Sequence, residues 1–212
     1  MRIILKRIGV LLAALLLSLA VVSCAKKEKS PTDTDNETLA AYTPEQIGLV
    51  RLDAYTGLTV ELENTDSSKG EAVWEAVLAR AEVVTYPEEQ VAYYRKQSQA
   101  KYRYLAERAD VSYEEMLSAL GVTEESLLEE ARQMVKGDLV YRYIVQDTGI
   151  ALTDAEKAEL FDRYAEKYVS EYGYTKEYVT EHLSEHVYDS MLYDKTMQYL
   201  IDRNTFAVSQ AQ

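Results

Sequence analysis

The sequence predicts a mainly α-helical fold with a short strand-bearing segment ahead of the helices. Three observations carry that prediction. Apolar residues recur at helical spacing almost without interruption from Glu71 onward. Two capping boxes, Ser112 with Glu115 and Thr153 with Glu156, punctuate the pattern, as do glycine stops at Gly121, Gly149 and Gly173. Only residues 49–63 show a period of two. There Leu58, Val60 and Leu62 alternate with Thr59, Glu61 and Glu63 after a turn at Gly57.

The elements follow in chain order, beginning with a targeting segment. Arg2, Lys6 and Arg7 make a basic start, and residues 8–20 form an apolar run rich in Leu and Ala. That run is shorter than the about 20 apolar residues a bilayer span needs, but it suits the centre of a signal peptide. It ends in Val21-Val22-Ser23-Cys24, which resembles the lipobox of bacterial lipoproteins. The resemblance implies a signal peptide over 1–23, removed after diacylglycerol is attached to Cys24. The acyl chains, palmitate among them, would then hold the protein to the extracytoplasmic face of a cell membrane. Two acyl chains anchor stably where one binds only marginally. Cys24 is the single cysteine, so one chain cannot make a disulfide or a zinc-thiolate site.

Residues 24–46 read as a lipidated flexible tether. Lys26-Lys27-Glu28-Lys29-Ser30-Pro31 and Thr32-Asp33-Thr34-Asp35-Asn36 are polar and lack apolar periodicity, so ordering them would gain too little burial. Such a stretch spans about 25 Å as a flexible coil. Residues 47–85 read as a small lobe of short strands plus one helix, in which Val73, Trp74, Val77 and Leu78 share a face. Residues 86–206 read as a helical domain and 207–212 as a tail.

Within the helical domain, Pro87 suits the first turn of a helix that runs to about Asp110, with Glu88 and Glu89 beside the N-terminal dipole. Ser112 opens a short helix closed near Gly121. Thr123 caps the next, where Leu127, Ala131, Met134, Val135, Leu139 and Ile144 trace one side until Gly149. Thr153 opens a helix that ends at Gly173. Thr175 begins the last long helix, with Val179, Leu183, Val187, Met191 and Ile201 along one side.

Charge narrows the range of partners. The chain holds 23 Lys and Arg against 36 Asp and Glu, a net charge of −13. Loss of residues 1–23 would remove three of those bases and no acid. Nucleic-acid binding needs clustered cations, so nucleic acid is not an expected partner.

From about Tyr86 to Phe206 an ordered set of motifs resembles the C-terminal chaperone domain of trigger factor. It comprises Val111-Ser112-Tyr113-Glu114-Glu115-Met116-Leu117, Gly121-Val122-Thr123-Glu124-Glu125-Ser126-Leu127, and Glu130-Ala131-Arg132 running on to Leu139-Val140. It continues through Ile144 to Ile150, Leu152-Thr153-Asp154-Ala155-Glu156, and a closing stretch from Lys195 to Leu200. Upstream, Asp53-Ala54-Tyr55-Thr56-Gly57-Leu58-Thr59-Val60 resembles another stretch of that family. The resemblance implies a multi-helix fold shared with SurA- and PrsA-type extracytoplasmic chaperones. Only 24 residues separate Leu62 from Pro87, too few for the family's isomerase domain. The ribosome-docking loop is also missing, so neither isomerase activity nor ribosome binding is expected. The implied function is ATP-independent holding of unfolded or partly folded exported polypeptides. The alternative is a structural or adaptor lipoprotein that docks one specific partner.

A holding surface needs adaptable aromatic contacts, and 18 Tyr against two Phe could supply them. Tyr93, Tyr94 and Tyr102 on one helix, Tyr141 on a second, and Tyr164, Tyr168 and Tyr172 at a spacing of four on a third are the candidate client-binding residues; Tyr104 and Tyr143 lie near them. The favoured reading of such a stripe is nonetheless core or half-exposed packing, with tyrosine standing where phenylalanine could. His182-Leu183-Ser184-Glu185-His186 matches the H-x-x-E-H pattern of zinc hydrolases. No Glu follows Glu185 to complete the ligand set, so two surface histidines beside a glutamate are the favoured reading. No phosphate loop or nucleophile motif occurs, and no cofactor, metal or enzymatic activity is expected.

Overall fold

Local capping chemistry sets most of the element boundaries. The computed structural model describes residues 41–208; Cys24, the signal peptide and most of the expected tether lie outside the described residues. Eight helices and four short strands occur among the described residues: α1 Pro44–Ile47, β1 Val50–Leu52, β2 Thr59–Leu62, α2 Lys69–Leu78, β3 Ala81–Val83, α3 Glu88–Ala109, α4 Tyr113–Leu120, α5 Glu124–Thr148, α6 Asp154–Tyr172, α7 Lys176–His182, α8 Ser184–Asp202 and β4 Thr205–Val208. The protein is therefore mainly helical with a small strand component.

Both expected capping boxes form. The Ser112 and Thr153 hydroxyls accept from the backbone N–H of Glu115 and Glu156, whose carboxylates accept in return. Thr123 accepts from the N–H of Ser126 at 3.0 Å at the start of α5. Gly121 and Gly173 close α4 and α6 in the left-handed region, at φ 68° and 69°.

Contacts divide the chain into two compact units. One comprises Tyr86–Val135, that is α3, α4 and the first half of α5. Its small core gathers Ala106, Ala109 and Met116 against Tyr102, Leu105, Val111 and Leu120. Glu124 ties its helices together: the carboxylate accepts from Arg95 Nη2 at 2.7 Å, Gln99 Nε2 at 2.8 Å and Tyr113 Oη at 2.8 Å. Those bonds, the one from Arg95 first, hold its pKa down to about 2.

The other unit joins Tyr42–Thr85 to the chain from Lys136 onward. β1 pairs antiparallel with β3, Val50 opposite Val83. β2 pairs parallel with β4, Thr59 opposite Thr205 and Leu62 opposite Val208. Asn204 fixes this junction. Its Oδ1 accepts from Leu58 N–H at 2.7 Å, and its Nδ2 donates to the carbonyls of Leu200 and Tyr55. α2 packs on β2 and α8, with Val73, Val77 and Leu200 fully buried. A second core of Ala165, Val179, Val187 and Met191 joins α6, α7 and α8.

Several sequence expectations change here. Residues 47–85 do not stand as a lobe of their own, because β2 is completed by β4 from the far end of the chain. The expected tail at 207–212 accordingly begins inside β4, and β3 follows directly on the helix that carries Val73 and Leu78. The expected tether reaches Gln46, but α1 lies within it. Tyr42 is also buried there, its hydroxyl donating to Asp138 at 3.1 Å. Pro87 takes the N-cap position of α3 rather than the first turn. Met134 is 41% exposed, off the buried face drawn by Leu127, Ala131, Val135, Leu139 and Ile144. The last long helix is interrupted at Leu183 (φ −122°, ψ 9°), which separates α7 from α8.

Candidate functional site

The most exposed aromatic surface is built at the α6–α7 turn, from helix ends and one glycine. α6 stops at Gly173, whose positive φ reverses the chain in a single residue, and Thr175 caps α7 by accepting from Tyr178 N–H at 3.1 Å. The reversal sets Tyr172, the last residue of α6, beside Tyr174, with ring centroids 6.3 Å apart. Tyr174 stacks on Tyr178 at 5.1 Å with only 16° between the planes. Tyr178 meets His182 one turn on at 4.7 Å, and Tyr168 meets Tyr172 one turn back at 5.9 Å. Five rings thus run in an unbroken strip. Tyr172 is 64% exposed, and Tyr174 and Tyr178 are about 40% exposed.

Side-chain contacts tie the base of the strip to its neighbours. Tyr168 directs its hydroxyl to Ser190 Oγ, and Tyr164 donates to Asp194 at 2.8 Å. Lys176 at the start of α7 is bound to Asp162 on α6 at 2.8 Å. Below these contacts, Phe161, Leu183 and Tyr188 close over the α6–α8 core. Glu171, Glu177, Glu181 and Glu185 are exposed around the strip.

A concavity of about 820 Å³ lies in the unit Tyr86–Val135, between α3 and the start of α5. Val91, Ala92 and Leu128 supply apolar wall; Tyr86, Arg95 and Arg132 supply polar wall. Two of its cations are engaged, Arg95 with Glu124 at 2.7 Å and Arg132 with Glu129 at 3.7 Å; Glu88 and Lys96 also line it. Burial, then the nearby Glu129 charge, pushes the Tyr86 hydroxyl pKa up.

The candidate tyrosines of the sequence fall in different places. Tyr93 and Tyr94 lie half-buried on α3, edge to face at 5.4 Å, and Tyr102 packs on the small core of the same unit. Tyr141, in the other unit, packs against Tyr193 at 5.5 Å, and burial pushes its hydroxyl up to about 12. Tyr164 and Tyr168 are half-buried, and Tyr172 is open. Only Tyr168 and Tyr172 of the seven belong to the strip. Tyr174 and Tyr178 were not singled out by sequence reasoning, although Tyr174, Tyr178 and His182 repeat the spacing of four on the far side of Gly173. His182 and His186 sit on two different helices, and among the described residues no group of three or more His, Cys, Asp or Glu is placed to hold a metal ion. Nor is any helix among them long and apolar enough to cross a membrane. No family model, curated protein or solved structure matches the chain.

Proposed function

We propose that this chain is a lipid-anchored, extracytoplasmic, ATP-independent holdase for unfolded exported polypeptides, with a trigger-factor-C-terminal or SurA-like helical fold. One observation carries the reading: the exposed run of tyrosine rings at the α6–α7 turn. Tyrosine buries a large amphipathic face at low entropic cost, and a row of such faces accepts many apolar sequences without demanding one shape. An exposed aromatic run on a scaffold held by Asp162–Lys176 and Tyr164–Asp194 is the signature of a contact surface. The anchoring part rests on Val21-Val22-Ser23-Cys24, and the fold part on the order of the helical motifs. No chemical step is part of the reading.

Light scattering of a chemically denatured test protein, diluted in the presence of the purified chain, tests it. Suppression of aggregation at stoichiometric amounts is expected, and its loss in a Tyr172→Ser/Tyr174→Ser/Tyr178→Ser variant of unchanged thermal stability. No suppression at stoichiometric amounts overturns the holdase. One tight partner in a pull-down without suppression would replace it with the adaptor lipoprotein.

A further inference from the structure

We propose that Gly137 is a hinge in the middle of α5, about which the unit Tyr86–Val135 turns relative to the other unit. The hinge goes beyond the holdase reading and does not depend on it. α5 runs unbroken from Glu124 to Thr148, yet the boundary between the two compact units falls inside it, between Val135 and Lys136. Gly137 is the single glycine among those 25 residues and the second residue past that boundary. A glycine inside a helix disfavours the helix about fivefold relative to alanine. Packing does not require it here, because a Cβ at this position would meet no atom of a neighbouring element within 4 Å. The backbone conformation does not require it either, being ordinary helix. What glycine adds at this point is backbone freedom, and helix bends gather at such residues.

The second connection between the units can follow such a bend. It runs from the end of β3 at Val83 to the start of α3 at Glu88 through an irregular stretch, in which Val84 and Thr85 are exposed. A pivot also needs each side to hold firm. Just past Gly137, Asp138 accepts from the Tyr42 hydroxyl at 3.1 Å, and Arg142 lies over the Tyr42 ring at 5.1 Å. Those contacts pin the second half of α5 to its own unit. The first half begins at Glu124, which Arg95, Gln99 and Tyr113 hold in the unit Tyr86–Val135. Each half of the helix therefore travels with its own unit, and the bending falls between them. The α3–α5 groove lies wholly in one unit and the ring strip wholly in the other, so the turn moves one against the other and rearranges neither.

Double electron–electron resonance tests the hinge. Spin labels go on exposed positions of α4 and α6, as Ser118→Cys/Ala158→Cys in a Cys24→Ser background, with Glu75→Cys/Ala158→Cys as a reference pair inside one unit. The 118–158 distance distribution is expected to be about twice as wide as the 75–158 distribution. Gly137→Ala should narrow the first and leave the second unchanged. Thermal stability of Gly137→Ala should be equal or higher, since its methyl group meets no neighbouring element. A 118–158 distribution as narrow as the reference shows the units moving as one body and overturns the hinge. A wide distribution that Gly137→Ala does not narrow overturns its assignment to Gly137. Lower stability in Gly137→Ala shows that packing requires the glycine and overturns it as well.

Discussion

The unit Tyr86–Val135 and the α6–α7 turn of the other unit use tyrosine in opposite ways. In the unit Tyr86–Val135 the rings turn to internal partners: Tyr113 donates to Glu124 and lies under Arg103, Tyr104 accepts from Arg108, and Tyr102 packs on Ala106 and Met116. In the other unit the base of α6 behaves the same way, with Tyr164 and Tyr168 bonded to α8. From Tyr172 to Tyr178 the rings pack on one another and on the flanking Tyr168 and His182. The groove in the first unit offers volume, with Arg95 and Arg132 already paired; the strip in the second offers exposed aromatic surface. Exposed apolar surface, rather than enclosed volume, is what a surface for changing partners needs.

The largest expected effect breaks the comparison on the strip side. Loss of Tyr172, Tyr174 and Tyr178 together should weaken client binding by at least tenfold, about 1.4 kcal/mol, whereas Ala92→Ser in the groove wall should leave it unchanged. Anisotropy of a labelled unstructured peptide reads both. A scaffold change of similar size should act on stability. Asn204→Ala leaves the Leu58 N–H and the Leu200 carbonyl buried without their partner, at a cost of about 3 kcal/mol in chemical denaturation. Gly173→Ala sharpens the comparison, because it forces a side chain into the positive-φ turn that pairs Tyr172 with Tyr174. It should cost about 1 kcal/mol and weaken client binding as well, which Asn204→Ala at a permissive temperature should not.

Smaller effects concern pH and caps. Glu124 has a folded pKa near 2, below its unfolded value of about 4.3, so its contribution is complete above the unfolded value and is lost as pH falls toward 2. The carboxylate is 45% exposed, so the loss should be about 1 kcal/mol or less. Glu124→Gln should flatten that part of an acid-denaturation curve and leave client binding at neutral pH untouched. Asp110 closes α3 with φ 55°, a conformation easier for glycine, and Asp110→Gly should raise stability by about 0.5 kcal/mol.

Helix starts and stops were legible because their chemistry is local. Ser112, Thr123, Thr153 and Thr175 each cap the helix that follows, and each partner lies three residues away. The buried faces of α5 and α8 were largely legible from periodicity, with Met134 displaced on α5 and, on α8, Leu200 and Thr196 fully buried while the expected Ile201 is half-buried. What was not legible depends on partners far along the chain. β4 is a four-residue strand because β2, 146 residues earlier, supplies its hydrogen bonds. β3 is three residues long and needs β1 to exist at all. The break at Leu183 falls inside an apolar pattern that continues through it, from Val179 to Val187. The strip was half legible. Tyr168 and Tyr172 followed from spacing within α6, but the pairing of Tyr172 with Tyr174 comes from a turn that reverses direction, which periodicity along one helix does not express.

Site-specific photo-cross-linking compares the two surfaces most directly. A photoreactive phenylalanine analogue placed at Tyr174 in the strip, or at Ala92 in the groove, is irradiated in the presence of a denatured test protein. Adducts at 174 and not at 92 are the expected result. Adducts at 92 alone, or at neither position while aggregation is still suppressed, would contradict the assignment of client holding to the α6–α7 rings.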